Sequence, residues 1–153
     1  MANTYTQIVV QIIFAVQGRQ NLIAEQNREP LEKYICGIIS KNDSKPLAIY
    51  CNPDHTHVLI GLNPSVSISN MAREIKANSS RWINEEKWIK GKFKWQEGFG
   101  AFTYSKSQID SVAKYILDQP IHHKRKTFKE EYQDFLEKFD VEYNEKYLFD
   151  FYE

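Results

Sequence analysis

The chain has 153 residues, enough for one domain or at most two very small ones, and 42% of them are apolar, so wholesale disorder is excluded. Formal net charge is zero, but it is unevenly placed. Residues 127–153 carry nine acids against three lysines, a net −6, which leaves +6 on residues 1–126. A neutral whole can therefore hide a basic working face; the plainer reading is a solvated acidic helix beside an ordinary surface. No apolar run approaches the length of a membrane span. The run Ile8–Val16 lacks a basic stretch before it and is interrupted by Gln11, so it is not read as a leader peptide. Cys36 and Cys51 have no metal-knuckle spacing and are too few to staple the scaffold, which makes a reduced, cytoplasmic protein the expectation.

In chain order, Gln7–Val16 is rich in β-branched residues and reads as a buried strand. After a polar loop, Pro30 sits where a first helical turn tolerates it, and Leu31, Tyr34, Ile35, Ile38 and Ile39 follow at helical spacing to about Asn42. Pro46–Cys51 and His55–Leu62 read as strands joined by the turn formers Asn52-Pro53-Asp54. Ile68, Met71, Ala72, Ile75, Trp82 and Ile83 mark a second, longer helix.

Short strands are expected at Phe93–Trp95 and Ala101–Tyr104, around Gly98-Phe99-Gly100. Ser105-x-x-Gln108 forms a capping box that opens a third helix with the stripe Ile109, Val112, Ala113, Ile116 and Leu117, and Pro120 opposes its continuation. Thr127-x-x-Glu130 is a second box, opening a terminal acidic helix. No linker, repeat or low-complexity segment interrupts residues 1–153, so one domain is expected. The element order predicts an α+β fold: a ferredoxin-like split βαβ core with an antiparallel sheet, helices on one face and added C-terminal helices.

Residues two apart on a strand share a face, so His55 and His57 of His55-Thr56-His57 lie side by side. Two imidazoles on a rigid strand make half a metal site; a pair of surface histidines is the plain alternative. Cys51 is a candidate third ligand for zinc, although it lies across a turn and reads better as a core residue. On the third helix Tyr115 falls roughly 130° from the apolar stripe, on the same side as Gln119 four residues on. Tyr115 is either a harmless surface aromatic or a placed nucleophile. The run His122-His123-Lys124-Arg125-Lys126 that follows is either a phosphate-binding cluster or a polar interhelical loop.

Together these segments resemble the single-tyrosine HUH transposases of small bacterial insertion sequences, the IS200-like family. The resemblance lies in Pro53-Asp54-His55-Thr56-His57-Val58-Leu59-Ile60, then Trp95-Gln96-Glu97-Gly98-Phe99-Gly100-Ala101-Phe102, then Tyr115-Ile116-Leu117-Asp118-Gln119. The ending, His122-His123-Lys124 through Phe128, Glu130, Glu131 and Tyr132, is similar as well. The resemblance implies that His55, His57 and Gln119 bind a divalent metal, Mg²⁺ or Mn²⁺, and that Tyr115 is the nucleophile. Imidazole nitrogens and an amide oxygen would leave open positions for a phosphate oxygen and water. The family usually carries a bulky hydrophobe between its two histidines; Thr56 departs from that, pointing to the opposite, core face.

The implied activity is cleavage and rejoining of single-stranded, hairpin-bearing insertion-sequence ends through a 5′-phosphotyrosine, without ATP. Implied too is a homodimer whose sites combine His55 and His57 of one chain with Tyr115 and Gln119 of the other. Arg73, Lys76, Arg81, Lys90, Lys92 and Lys94 are the candidate DNA contacts. The alternatives are a domesticated, non-catalytic nucleic-acid-binding protein of the same fold and, more distantly, a small protein binding metal through His55, His57 and Cys51.

Overall fold

The computed structural model describes residues 3–18 and 21–151; Glu153 of the acidic tail lies outside them. The elements run β1 (Val9–Ala15), α1 (Glu25–Lys41), β2 (Lys45–Cys51), β3 (His55–Gly61), α2 (Ile68–Glu85), β4 (Gly100–Thr103), α3 (Ile109–Leu117), α4 (Gln119–His122) and α5 (Phe128–Lys138). The strands form one antiparallel sheet in the order β2-β3-β1-β4, the expected split βαβ arrangement.

Alternation along β1 and β3 sorts their side chains onto two faces. Val10, Ile12 and Phe14 join Val58 and Ile60 under α1 and α2, which contribute Leu31, Ile35, Ile39, Met71 and Ile75. The other face carries Ile13 and Ala15 against Phe102, Phe128, Tyr132 and Leu136, and Val9 and Leu59 against Ile116. The helices added at the C-terminus thus cover the face that the βαβ helices leave open. Leu117 is the exception in the α3 stripe, 57% exposed at the helix end.

Both predicted capping boxes are present, Ser105 with Gln108 and Thr127 with Glu130. After the first, a 3₁₀ turn (Lys106–Gln108) precedes α3. Two boundaries differ from the sequence expectation. Helix α1 begins at Glu25, which places Pro30 inside it. Proline is tolerated there because Pro30 and Gln26, whose carbonyl it leaves without a donor, are both exposed, while Arg28 pairs with Glu25 and Glu32 across the same turns. The segment at Phe93–Trp95 is reduced to a single bridge, Val16 to Trp95, because Phe93 and Trp95 are held by packing and by side chains: Asn84 bonds both backbone groups of Phe93, and the Trp95 indole donates to Ser79.

Candidate active site

The site is built on β3. His55 and His57 face α5, whereas Thr56 points into the α1/α2 core opposite Phe14 and Cys51. Cys51 therefore lies on the other side of the sheet from the two rings. Cys51 is a core residue, as its sequence context favours, and burial pushes its thiol up; it is not placed to ligate with His55 and His57.

Each motif ring is held from behind. His55 Nδ1 lies 2.7 Å from Asp54 Oδ1, and His57 Nδ1 lies 2.7 Å from Gln11 Oε1. Both partners are acceptors, so each Nδ1 donates and each Nε2 is turned to the interior, where Glu131 faces it. Gln11 in turn donates to the Tyr104 hydroxyl at 2.7 Å. The turn Asn52-Pro53-Asp54 does more than reverse the chain: the Asn52 amide reaches His55 Nε2 (3.2 Å) and Gln119 Oε1 (3.0 Å).

Four side chains converge in front of β3. Glu131 Oε1 lies 3.0 Å from His57 Nε2, 3.3 Å from His123 Nε2 and 3.5 Å from His55 Nε2. The ligating atoms of His55, His57, His123 and Glu131 all fall within 4.8 Å of one another, an arrangement able to hold a metal ion. Burial alone would raise the Glu131 carboxyl, but His57, His123 and His55 outweigh it and hold the group well below the usual carboxylate range.

Tyr115 reaches the same carboxylate from α3: its hydroxyl donates to Glu131 Oε2, which also accepts from Gln119 Nε2 at 3.0 Å. Burial, reinforced by that carboxylate, pushes the phenol up, so the proton resides on Tyr115 in the resting chain. The His122 ring stacks on Tyr115 at 4.2 Å, and Phe135 meets its edge. The 3.6-residue repeat brings Tyr115 and Gln119 to one side, as expected, although the backbone bends at Asp118 between α3 and α4.

Three features of the arrangement bear on how the site works. First, Gln119 sits in the site, but its amide oxygen already accepts from Asn52 and faces His123 Nε2 at 2.9 Å. Second, His55 and His57 are not on an accessible strand face. They are 1% and 0% exposed, because α5 stacks Phe128 flat on His55 (3.7 Å, 7°) and sets Phe135 beside His57. Third, one chain brings Tyr115 and Gln119 to its own histidines, so exchange between chains is not needed to assemble the site.

His123 and Glu131 were not singled out as ligands from sequence. His123 stood in a basic run and Glu131 among nine acids of the tail, both inside the segment similar to the family's ending, but without a role. Among the candidate DNA contacts, Arg73, Arg81, Lys90, Lys92 and Lys94 are exposed. Arg81, Lys92 and Lys94 line one groove beside Phe93. Lys76 is half-buried and donates to the carbonyls of Gln96 and Gly98 at 2.8 Å each.

Residues 4–119 match the family model described as "Transposase IS200 like". The chain belongs to this family. It is 22% identical over 120 residues to the ISDra2 transposase TnpA of Deinococcus radiodurans, covering 74% of this chain and 84% of that protein. Two solved structures share its fold. A putative transposase from D. radiodurans superimposes with a TM-score of 0.61 at 20% identity, over 78% of this chain and 95% of that one. A REP-associated tyrosine transposase bound to a REP hairpin gives 0.60 at 17% identity, over 80% and 73%. The family match ends at Gln119, before His123 and Glu131. Among the described residues no helix is long and apolar enough to cross a membrane.

Proposed function

We propose that this transposase cleaves and rejoins single-stranded, hairpin-bearing DNA ends through a covalent bond to Tyr115, with a divalent metal beside His55 and His57. The observation that carries the reading is that one buried carboxylate, Glu131, holds the Tyr115 hydroxyl on one oxygen and faces the histidine pair with the other. A nucleophile and a cluster able to hold a metal thus share one site.

The donor set fits a metal: two rings fixed through Nδ1 by Asp54 and Gln11 present Nε2 inward, the orientation that ligating histidines take. When bound there, the ion supplies charge to a phosphate oxygen. The chain's own residues do the rest. Tyr115 Oη attacks phosphorus, the bond from phosphorus to the 3′ oxygen breaks in line, and a 3′ hydroxyl leaves while the 5′ phosphate stays on Tyr115. Glu131 Oε2 holds the phenol hydrogen and is placed to relay it as attack lowers the basicity of Oη, the proton ending on the departing 3′ oxygen. Reversal by another strand's 3′ hydroxyl rejoins DNA and returns the proton, so bond energy is conserved and no nucleotide is needed.

Tyr115 is half-buried, and the exposed Lys124 and Arg125 follow the His122 ring that stacks on it, which gives a phosphate backbone a route to the hydroxyl. Excision needs two cuts and each chain has one such tyrosine, so two chains, each with a complete site, act on the two ends. The reaction takes place in the cytoplasm, where the DNA ends are. The test is incubation of the purified protein and Mn²⁺ or Mg²⁺ with single-stranded DNA from the sequence on either side of its gene. A covalent protein–DNA species is expected. Hairpin binding with no such species would favour the domesticated, non-catalytic binding protein.

A further inference from the structure

Two of the four groups that meet at the histidine pair come from beyond the family match: His123 caps α4, and Glu131 lies on the first turn of α5. We infer that His123 and Glu131, and not Gln119, complete the metal site, and that three imidazole nitrogens with one carboxylate oxygen select a transition dication over Mg²⁺. The inference deepens the proposed function and rests on it only for what the metal is used for.

The distances fit an ion shared by these groups. Ligands about 2.1 Å from one ion lie roughly 3–4 Å apart. The three Nε2 atoms stand 3.0, 3.3 and 3.5 Å from Glu131 Oε1. The orientation of the motif rings agrees. Asp54 and Gln11 hold Nδ1 of each ring, so Nε2 is the nitrogen that His55 and His57 turn inward. Glu131 is 3% exposed and packed against all three rings, so a divalent cation held there would take the place of its contacts to their Nε2 atoms. His123 Nε2 stands 2.9 Å from Gln119 Oε1 and 3.3 Å from Glu131 Oε1, so it too reaches the point where an ion would sit.

Gln119 has a different part. Its oxygen takes the Asn52 amide, and its nitrogen holds Glu131 Oε2. Those bonds set the carboxylate's orientation, which makes Gln119 a positioning residue behind Glu131. Glu131 also ties Tyr115 to the ion, one oxygen serving each. The donor chemistry then decides the metal. Mg²⁺ prefers oxygen ligands and retains waters, whereas imidazole suits the later ions of the first transition row.

The test is calorimetric titration of the intact protein, without DNA, with Co²⁺, Mn²⁺ and Mg²⁺, together with the visible spectrum of the Co²⁺ form. Co²⁺ should bind more tightly than Mn²⁺ and Mn²⁺ more tightly than Mg²⁺. The spectrum should show the intense bands of a four- or five-coordinate ion. Glu131→Gln and His123→Ala should each weaken Co²⁺ binding tenfold or more, and Gln119→Ala less than threefold. Should Glu131→Gln fail to fold by circular dichroism, His123→Ala and the wild-type spectrum decide. A loss at Gln119→Ala equal to that at His123→Ala, Mg²⁺ binding as tight as Co²⁺, or the weak spectrum of a six-coordinate oxygen site would each overturn the assignment. Because no DNA is present, a chain that shows the expected pattern yet forms no adduct supports this ligand set while refuting the transposase reaction.

Discussion

Gln11 offers a direct probe of how the fold prepares the site. It is fully buried at the middle of β1, between Leu59 of β3 and Phe102 of β4, and bonds His57 Nδ1 and the Tyr104 hydroxyl at 2.7 Å each. Gln11→Leu keeps the volume, so no sizeable cavity opens, but it strips both polar partners. The buried His57 N–H left without an acceptor costs about 1–3 kcal/mol, and the half-buried Tyr104 hydroxyl adds about 0.5–1.5 kcal/mol. A loss of roughly 2–4 kcal/mol leaves a domain of ordinary stability, about 5–15 kcal/mol, still folded. At about 2–4 °C per kcal/mol for this size, Tm should fall by roughly 5–15 °C. The functional effect is separate. Without an acceptor at Nδ1, His57 is free to carry its proton on Nε2, pointing into the ligand cluster, and metal affinity should drop about 10–100-fold. Gln11→Glu retains an acceptor and should recover most of that affinity. Thermal melts and Mn²⁺ titration of the two variants are the assay. Full stability loss with metal affinity unchanged would refute the argument that Gln11 sets the His57 tautomer.

The remaining predictions concern the lid helix, DNA binding and chain number. A Cβ on Gly100 would meet the Tyr132 hydroxyl at 2.6 Å and its ring at 2.7 Å, so Gly100→Ala should push α5 off the sheet. We expect a destabilisation of about 1–3 kcal/mol in urea unfolding, with faster hydrogen exchange in α5 than in α1. Uniform exchange across both helices would contradict it. Log affinity for hairpin DNA should fall linearly with log salt, and neutralising Arg81, Lys92 and Lys94 together should flatten the slope by about 2–3. An unchanged slope would place the phosphates elsewhere. Mixing Tyr115→Phe with His57→Ala chains should leave adduct formation dead, because each site is built within one chain. Recovered activity would show that the α3 helix is exchanged between partners.

Local signals were legible in the sequence where a local rule governs. Ser105 and Gln108, Thr127 and Glu130, and the period-two placement of His55 and His57 each depend on residues a few positions apart. The order of the elements was enough for the split βαβ core. Tyr115 and Gln119 could be placed on one side of a helix, and family likeness supplied their roles. His123 and Glu131 were hidden because no spacing relates them to β3: Glu131 is 74 residues from His57 and looks like its acidic neighbours. Gln11 interrupts an apolar run, which is a signal, but only the pairing of β1 with β3 shows that it interrupts the run in order to hold His57. The burial of both histidines follows from the aromatic face of α5, whose landing place on the sheet a one-dimensional pattern does not specify.

The central claim is that Tyr115 becomes joined to DNA. The most direct measurement is mass spectrometry of peptides from the protein after incubation with Mn²⁺ and single-stranded DNA from the sequence on either side of its gene, followed by nuclease trimming. The account predicts a 5′-phosphonucleotide on the peptide containing Tyr115, and none in Tyr115→Phe, while hairpin binding by that variant stays within a few-fold of wild type. An adduct on Tyr104, or one that persists in Tyr115→Phe, would contradict it.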